Sequence, residues 1–121
     1  MDTPPPSKAR LVVEAALERK ALDPVLLKVD RITSIADYFL VCSGRSNRQV
    51  QALADHIRDQ VKQRGGHLPL GEEGRTQGHW ILMDYGEIIV HIFYHPIREF
   101  YDLEGLWIEA EQVELDREND L

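Results

Sequence analysis

Apolar residues recur along this chain at two different spacings, and those spacings divide it into helices and strands. Leu11, Val12, Ala15 and Ala16 fall on one stripe of a helix that takes Ser7 as its N-cap and runs to about Leu22. Pro4, Pro5 and Pro6 ahead of it predict a stiff, extended lead-in. Asp23-Pro24 ends the helix, because the residue before a proline disfavours helical geometry. The apolar run over residues 25–30 predicts a strand, residues 31–37 a loop, and the aromatic and branched run over 38–42 a buried strand. Val50, Leu53, Ala54, Ile57 and Val61 return to helical spacing, in a helix capped by Ser46 or Asn47 and ended by Gly65-Gly66. If residues 67–70 then join the sheet, the unit is a right-handed parallel crossover. Gly71, Gly74 and Gly78 among charges predict a mobile loop over 71–78.

Residues 80–84 and 88–94 form the clearest pair, joined by the tight turn Asp84-Tyr85-Gly86-Glu87. The expected register sets Met83 opposite Ile88, Leu82 opposite Ile89, Ile81 opposite Val90 and Trp80 opposite His91. Alternation then sorts the side chains. One face carries Ile81, Met83, Ile88, Val90 and Ile92, a core face for the two helices to cover. The other carries Trp80, Leu82, Asp84, Glu87, Ile89, His91 and Phe93, too polar for a core and too apolar for plain solvent. Aromatic groups beside isolated charges are the composition of a binding hot spot. The alternative is that the C-terminal segment folds back over this face.

The expectation is one α/β domain, a mixed sheet of about five strands with helices packed on one face. The 121 residues suit a single domain with its own core, and 43% apolar with 29% charged residues fits a globular chain. No apolar run approaches the roughly 20 residues of a membrane helix, so no membrane partner is expected. The N-terminus lacks the features of a signal or transit peptide. A single cysteine, Cys42, allows no internal disulfide and suits a reducing, cytoplasmic setting. The net charge of −7 is unevenly placed. From Glu99 onward nine carboxylates oppose Arg117, so that stretch carries −8 and the first 98 residues +1. Such a balance predicts little direct RNA contact and steers towards a basic protein partner, although an acidic tail can also serve solubility alone.

The residues offer little enzyme chemistry. In a strand, His91 and His95 stand about 13 Å apart, too far for one zinc ion, and Cys42 has no cysteine companion, so no metal site is expected. Cys42 sits within a strand pattern, where a buried, inert thiol is the common case. Ser43-Gly44-Arg45-Ser46 opens a helix in the manner of an anion-cradling turn, but with one glycine and no following lysine. The strand–Gly-Ser–helix opening also occurs in nucleotidyltransferase-like folds, where two carboxylates on a strand hold magnesium. Here Asp84 and Glu87 straddle a turn and no Asp-x-Asp pair exists. Neither a cofactor nor catalysis is expected.

A string of motifs is more specific. It runs from Ser34-Ile35-Ala36-Asp37-Tyr38-Phe39-Leu40-Val41-Cys42-Ser43-Gly44 through Ser46-Asn47-Arg48-Gln49-Val50, Ala54-Asp55 and Glu73-Gly74. It continues with Gly78-His79-Trp80-Ile81-Leu82-Met83-Asp84-Tyr85-Gly86, Val90-His91-Ile92-Phe93 and Arg98-Glu99-Phe100-Tyr101-Asp102-Leu103-Glu104-Gly105-Leu106-Trp107. This pattern resembles the ribosomal silencing factor S family, which includes the plant Iojap-like proteins, over about residues 11–110. The resemblance implies a nucleotidyltransferase-like topology without the catalytic carboxylates and without transferase activity. It implies docking on the large ribosomal subunit through large-subunit ribosomal protein number fourteen, beside a bridge to the small subunit. A body there blocks subunit association and represses translation when nutrients are scarce. A role in large-subunit assembly and a possible homodimer are implied as well. Trp80 matches the family's hairpin tryptophan, implicated in the ribosomal contact. Asp84, His91, Arg98, Tyr101, Glu104 and Trp107 match its other signature positions, and Phe93 joins them from the strand alternation. The expected division is a silencing-factor domain over 1–108 and an acidic, disordered extension over 109–121.

Overall fold

The computed structural model describes residues 8–107 and 109–115. The proline lead-in, the Ser7 cap and the tail from Asp116 to Leu121 lie outside the described residues. Ten elements follow one another: α1 (Lys8–Glu18), β1 (Leu22–Lys28), β2 (Tyr38–Gly44), α2 (Asn47–Gly65), β3 (Gly71–Glu73), β4 (Trp80–Asp84), β5 (Ile88–Tyr94), α3 (His95–Tyr101), α4 (Leu103–Leu106) and β6 (Glu111–Val113). The six strands make one mixed sheet in the order β3-β4-β5-β2-β1-β6. Only β2 and β5 run parallel; the other pairs are antiparallel.

Local chemistry accounts for most element ends. The Ser46 hydroxyl accepts from the Gln49 N–H at 3.0 Å, and the Gln49 side chain accepts from the Arg45 N–H at 2.6 Å. This reciprocal cap starts α2 and uses donors that an anion site would need. Gly66, left-handed at φ 71, closes it with an N–H bond to the Lys62 carbonyl. α1 stops at Glu18, four residues short of the expected end, because Lys20 turns left-handed and Leu22 already pairs with Ser43. Pro24 therefore sits inside β1, at a register shift between Leu22 and Val25, where a strand tolerates a missing donor.

Three expectations need correction. Residues 67–70 are not a strand; the chain joins the sheet at β3, on the edge of β4. The glycine-rich stretch is pinned rather than loose. Gln51 donates to the carbonyls of Arg75 and Thr76 at 3.0 and 3.1 Å, and Arg75 reaches Asp55 at 2.6 Å and Glu72 at 3.1 Å. The hairpin register differs by two residues: Trp80 faces Phe93, Leu82 faces His91, and Met83 faces Val90. The turn is centred on Gly86-Glu87 rather than Tyr85-Gly86, since only Gly86, at φ 91, fits the first central position of a primed turn.

A shift of two leaves both faces of the hairpin intact. Ile81, Met83, Ile88, Val90 and Ile92 are wholly buried under α1 and α2, with Val12, Leu53, Ile57 and Val61. The opposite face is covered as well. Leu103 packs with Val41 and Phe93, and Trp107 and Ala110 lie against Leu27, Val29, Phe39 and Ile89. Part of the acidic extension is ordered, because β6 pairs with β1 through Glu111, Gln112 and Val113.

Candidate functional site

The mixed face of the hairpin ends in an aromatic cluster where β4 begins and β5 finishes. Trp80 stacks on Phe93 with ring centroids 4.9 Å apart, and Tyr101, brought over by α3, lies 4.7 Å from Trp80. The indole N–H of Trp80 donates to His91 Nδ1 at 3.2 Å. That bond places the His91 proton on Nε2, which is buried without a hydrogen-bond partner. Burial pushes the His91 pKa down to about 4, so the ring is a neutral acceptor at pH 7. Phe100 adds an edge-on contact to Tyr101 at 5.4 Å and is 83% exposed.

Depth separates the expected site residues. Phe93, His91 and Arg98 are buried, Trp80 and Trp107 are half-buried, and Tyr101 is 47% exposed. The expected open face is therefore open only at its rim, since α3, α4 and the turn after them cover the middle. Phe93 and His91 are floor, and Trp80 and Tyr101 are wall. Trp107 meets Phe39 edge-on at 5.0 Å and, like Trp80, packs against the cluster of Val41, Phe93 and Leu103. Asp84 stands at the other end of β4, about 13 Å along the strand, and its carboxylate accepts the Gly86 N–H at 2.8 Å. It shapes the turn and is not part of the cluster.

Arg98 explains why the cover is fixed. Its guanidinium makes a two-pronged pair with Glu104, at 3.1 and 2.9 Å, and donates to the Ser43 hydroxyl at 3.0 Å and the Leu22 carbonyl at 3.3 Å. One side chain thus ties α3 and α4 to the ends of β1 and β2. Left-handed Asp102, at φ 47, makes the corner between the two short helices, and its carboxylate accepts from the Gly105 N–H.

Phe100 is the residue that sequence reasoning missed. Without a helix assigned to residues 95–101 there was no face to put it on. Once the helix is recognised, Ile97, Arg98 and Tyr101 lie towards the sheet at a spacing of three to four, which turns Phe100 outwards. Cys42 is buried, and desolvation pushes its thiol up to about 12. Among the described residues no three histidine, cysteine or acidic side chains come together as a metal site. No described helix is long and apolar enough to cross a membrane.

The family model described as "Ribosomal silencing factor during starvation" matches residues 2–121. The chain belongs to the ribosomal silencing factor family. A ribosomal silencing factor of Bacillus subtilis is 37% identical over 107 residues, covering 88% of this chain and 90% of that one. A crystal structure from Chromobacterium violaceum, 36% identical, superposes with a TM-score of 0.78 over 83% of this chain and 82% of that one. The maize protein "Iojap, chloroplastic" is 32% identical over 86% of this chain and 45% of its own length. The family is thus one of ribosome-related regulators, and the solved bacterial structure shares this α/β fold.

Proposed function

We propose that this silencing factor docks on the large ribosomal subunit through large-subunit ribosomal protein number fourteen and blocks the small subunit from joining by occupying its space. It acts as a body in the way, not as an enzyme, and works in the cytoplasm. The observation that carries this reading is the aromatic rim of Trp80, Phe100 and Tyr101 on a braced base. Phe100 has no packing reason to be at the surface, and rigid aromatic groups are the usual anchors of a protein interface. Glu99 and Asp102, exposed beside the rim, and Glu104, half-buried, supply acidic partners for a basic ribosomal protein. His91, Phe93 and Arg98 support the rim from below. Trp107 holds the cover, and Asp84 keeps the hairpin turn. A homodimer through the same rim and a contribution to large-subunit assembly are compatible with this surface.

Truncating a buried anchor costs about 2 kcal/mol or more, roughly thirtyfold in affinity. Trp80→Ala is therefore expected to keep the fold by circular dichroism but to leave large subunits in sedimentation, and to restore subunit joining. Undiminished co-migration of the variant would remove the site. Light scattering of both proteins separates a dimer seam, which the substitution would dissociate, from a ribosome contact.

A further inference from the structure

The net value of −7 conceals a group of cations at one end of the sheet. The end of the sheet that holds Trp80 also gathers the start of β1, the end of β2 and the end of β5. Leu22 pairs with Ser43, Gly44 with Tyr94, and Trp80 with Phe93. The Tyr94 N–H bonds the His79 carbonyl at 2.8 Å, and a side chain on Gly78 would come within 2.9 Å of the Asn47 carbonyl. The turns flanking these strand ends carry Arg19 and Lys20 ahead of β1, and Arg45 and Arg48 around the start of α2. All four are exposed.

Arg58, Arg64, Arg75 and Arg98 are each held by a carboxylate at 3.5 Å or less. Arg19, Lys20, Arg45 and Arg48 have no such partner among the described residues; Lys28, Arg31 and Lys62 have none either, but lie away from this end of the sheet. The acidic groups nearest are Glu18, held by His56 and Arg64, then Asp23, 3.9 Å from His95, and Glu99 and Asp102 near the aromatic rim. The one carboxylate beside the cations on the helix side, that of Glu18, is thus already engaged, and the others border the α3–α4 side. Unpaired arginines on a surface are strongly suited to phosphate, which accepts their forked donors. Four separated cations on loops and a helix start also suit an extended backbone rather than one small anion.

We propose that Arg19, Lys20, Arg45 and Arg48 form a second contact surface, fitted to the phosphate backbone of RNA that borders the protein on the ribosome. This inference rests on the docking proposed above: the aromatic and acidic side of the end meets a basic protein while the cationic side meets the neighbouring RNA. The phosphate contacts read no sequence; they add affinity and fix orientation.

The test pairs Arg45→Gln/Arg48→Gln with the wild type in two binding assays. One uses purified large subunits over a salt series, and the other uses isolated ribosomal protein fourteen free of RNA. The melting temperature serves as the control for folding, since the Arg45 contact in the helix cap is made by its backbone. On large subunits the double variant is expected to bind about tenfold more weakly. Its plot of log affinity against log salt should be flatter by between about 1 and 2, the share of two phosphate contacts. On the isolated protein its affinity should be unchanged. An unaltered salt slope on large subunits would overturn the proposal, and so would an equal loss on the isolated protein, which would assign the arginines to a protein contact. Failure of Trp80→Ala to weaken binding to ribosomal protein fourteen would strike the docking reading instead, so the two failures are distinct.

Discussion

The two faces of the β4–β5 hairpin are built from the same strands and carry different work. Under α1 and α2, Ile81, Met83, Ile88, Val90 and Ile92 are aliphatic and fully buried, with no hydrogen bond to satisfy. On the other face Phe93 and His91 lie under α3 and α4; His91 accepts from the Trp80 indole, and Arg98 of α3 fixes the cover by donating to the Ser43 hydroxyl and the Glu104 carboxylate. The first face stabilises by area alone and is tolerant of geometry. The second depends on directional bonds, so it holds its surface residues in set positions at a cost in sensitivity. A face that must present a rigid rim gains from that dependence; a face that only has to stay closed does not.

The contrast can be broken most severely on the aliphatic side. Ile92→Ala should destabilise the domain by about 3 kcal/mol through lost burial and a residual cavity, read as a lower urea midpoint with an unchanged slope. A smaller and pH-dependent effect belongs to the polar side. His91 is held near pKa 4 against an ordinary 6.5, so the unfolded chain binds its proton first as pH falls. The stability it contributes is present above about pH 6.5 and is lost progressively down to pH 4. Between pH 7 and pH 5 the wild type should lose roughly 2 kcal/mol more than His91→Gln in paired urea titrations, at about 1.4 kcal/mol per pKa unit. Equal losses in both proteins would mean that the ring is not the titrating group. The smallest effect on folding is expected at the rim. Phe100→Ala should change stability by less than about 0.5 kcal/mol, since the ring is mostly in solvent, while weakening attachment to large subunits. A large fall in stability would make Phe100 a packing residue and sharpen the contrast in the other direction.

Much of this was legible from alternation and spacing. The two long helices, the buried strand expected over 38–42 (which in fact extends to Gly44) and the two hairpin faces follow from local periodicity, which residues far apart in the chain cannot disturb. The depth of His91 and Phe93 was not legible. It depends on α3 and α4, and α3 is seven residues long, with an apolar stripe interrupted by Arg98, so its sequence reads as a polar connection. Arg98 is recognisable as core only once Ser43, Leu22 and Glu104 are placed around it. The alternative of a C-terminal segment folding back over the mixed face therefore describes the middle of that face, and the exposed rim is what remains of it. The edge strand Glu111–Val113 was equally hidden, because two of its three residues are exposed and nothing local distinguishes them from a solvated tail.

The hairpin turn at Gly86-Glu87 carries a consequence for how this family can vary. Pairing can slide in steps of two without exchanging the sides of the sheet, so lengthening or trimming the turn by an even number of residues keeps tryptophan and isoleucine on their own sides. A single inserted residue in β4 would instead rotate everything beyond it, sending the isoleucines outwards and burying the indole among aliphatic helices. Drift along this stretch of chain is thus filtered by parity, and lineages should differ here by pairs.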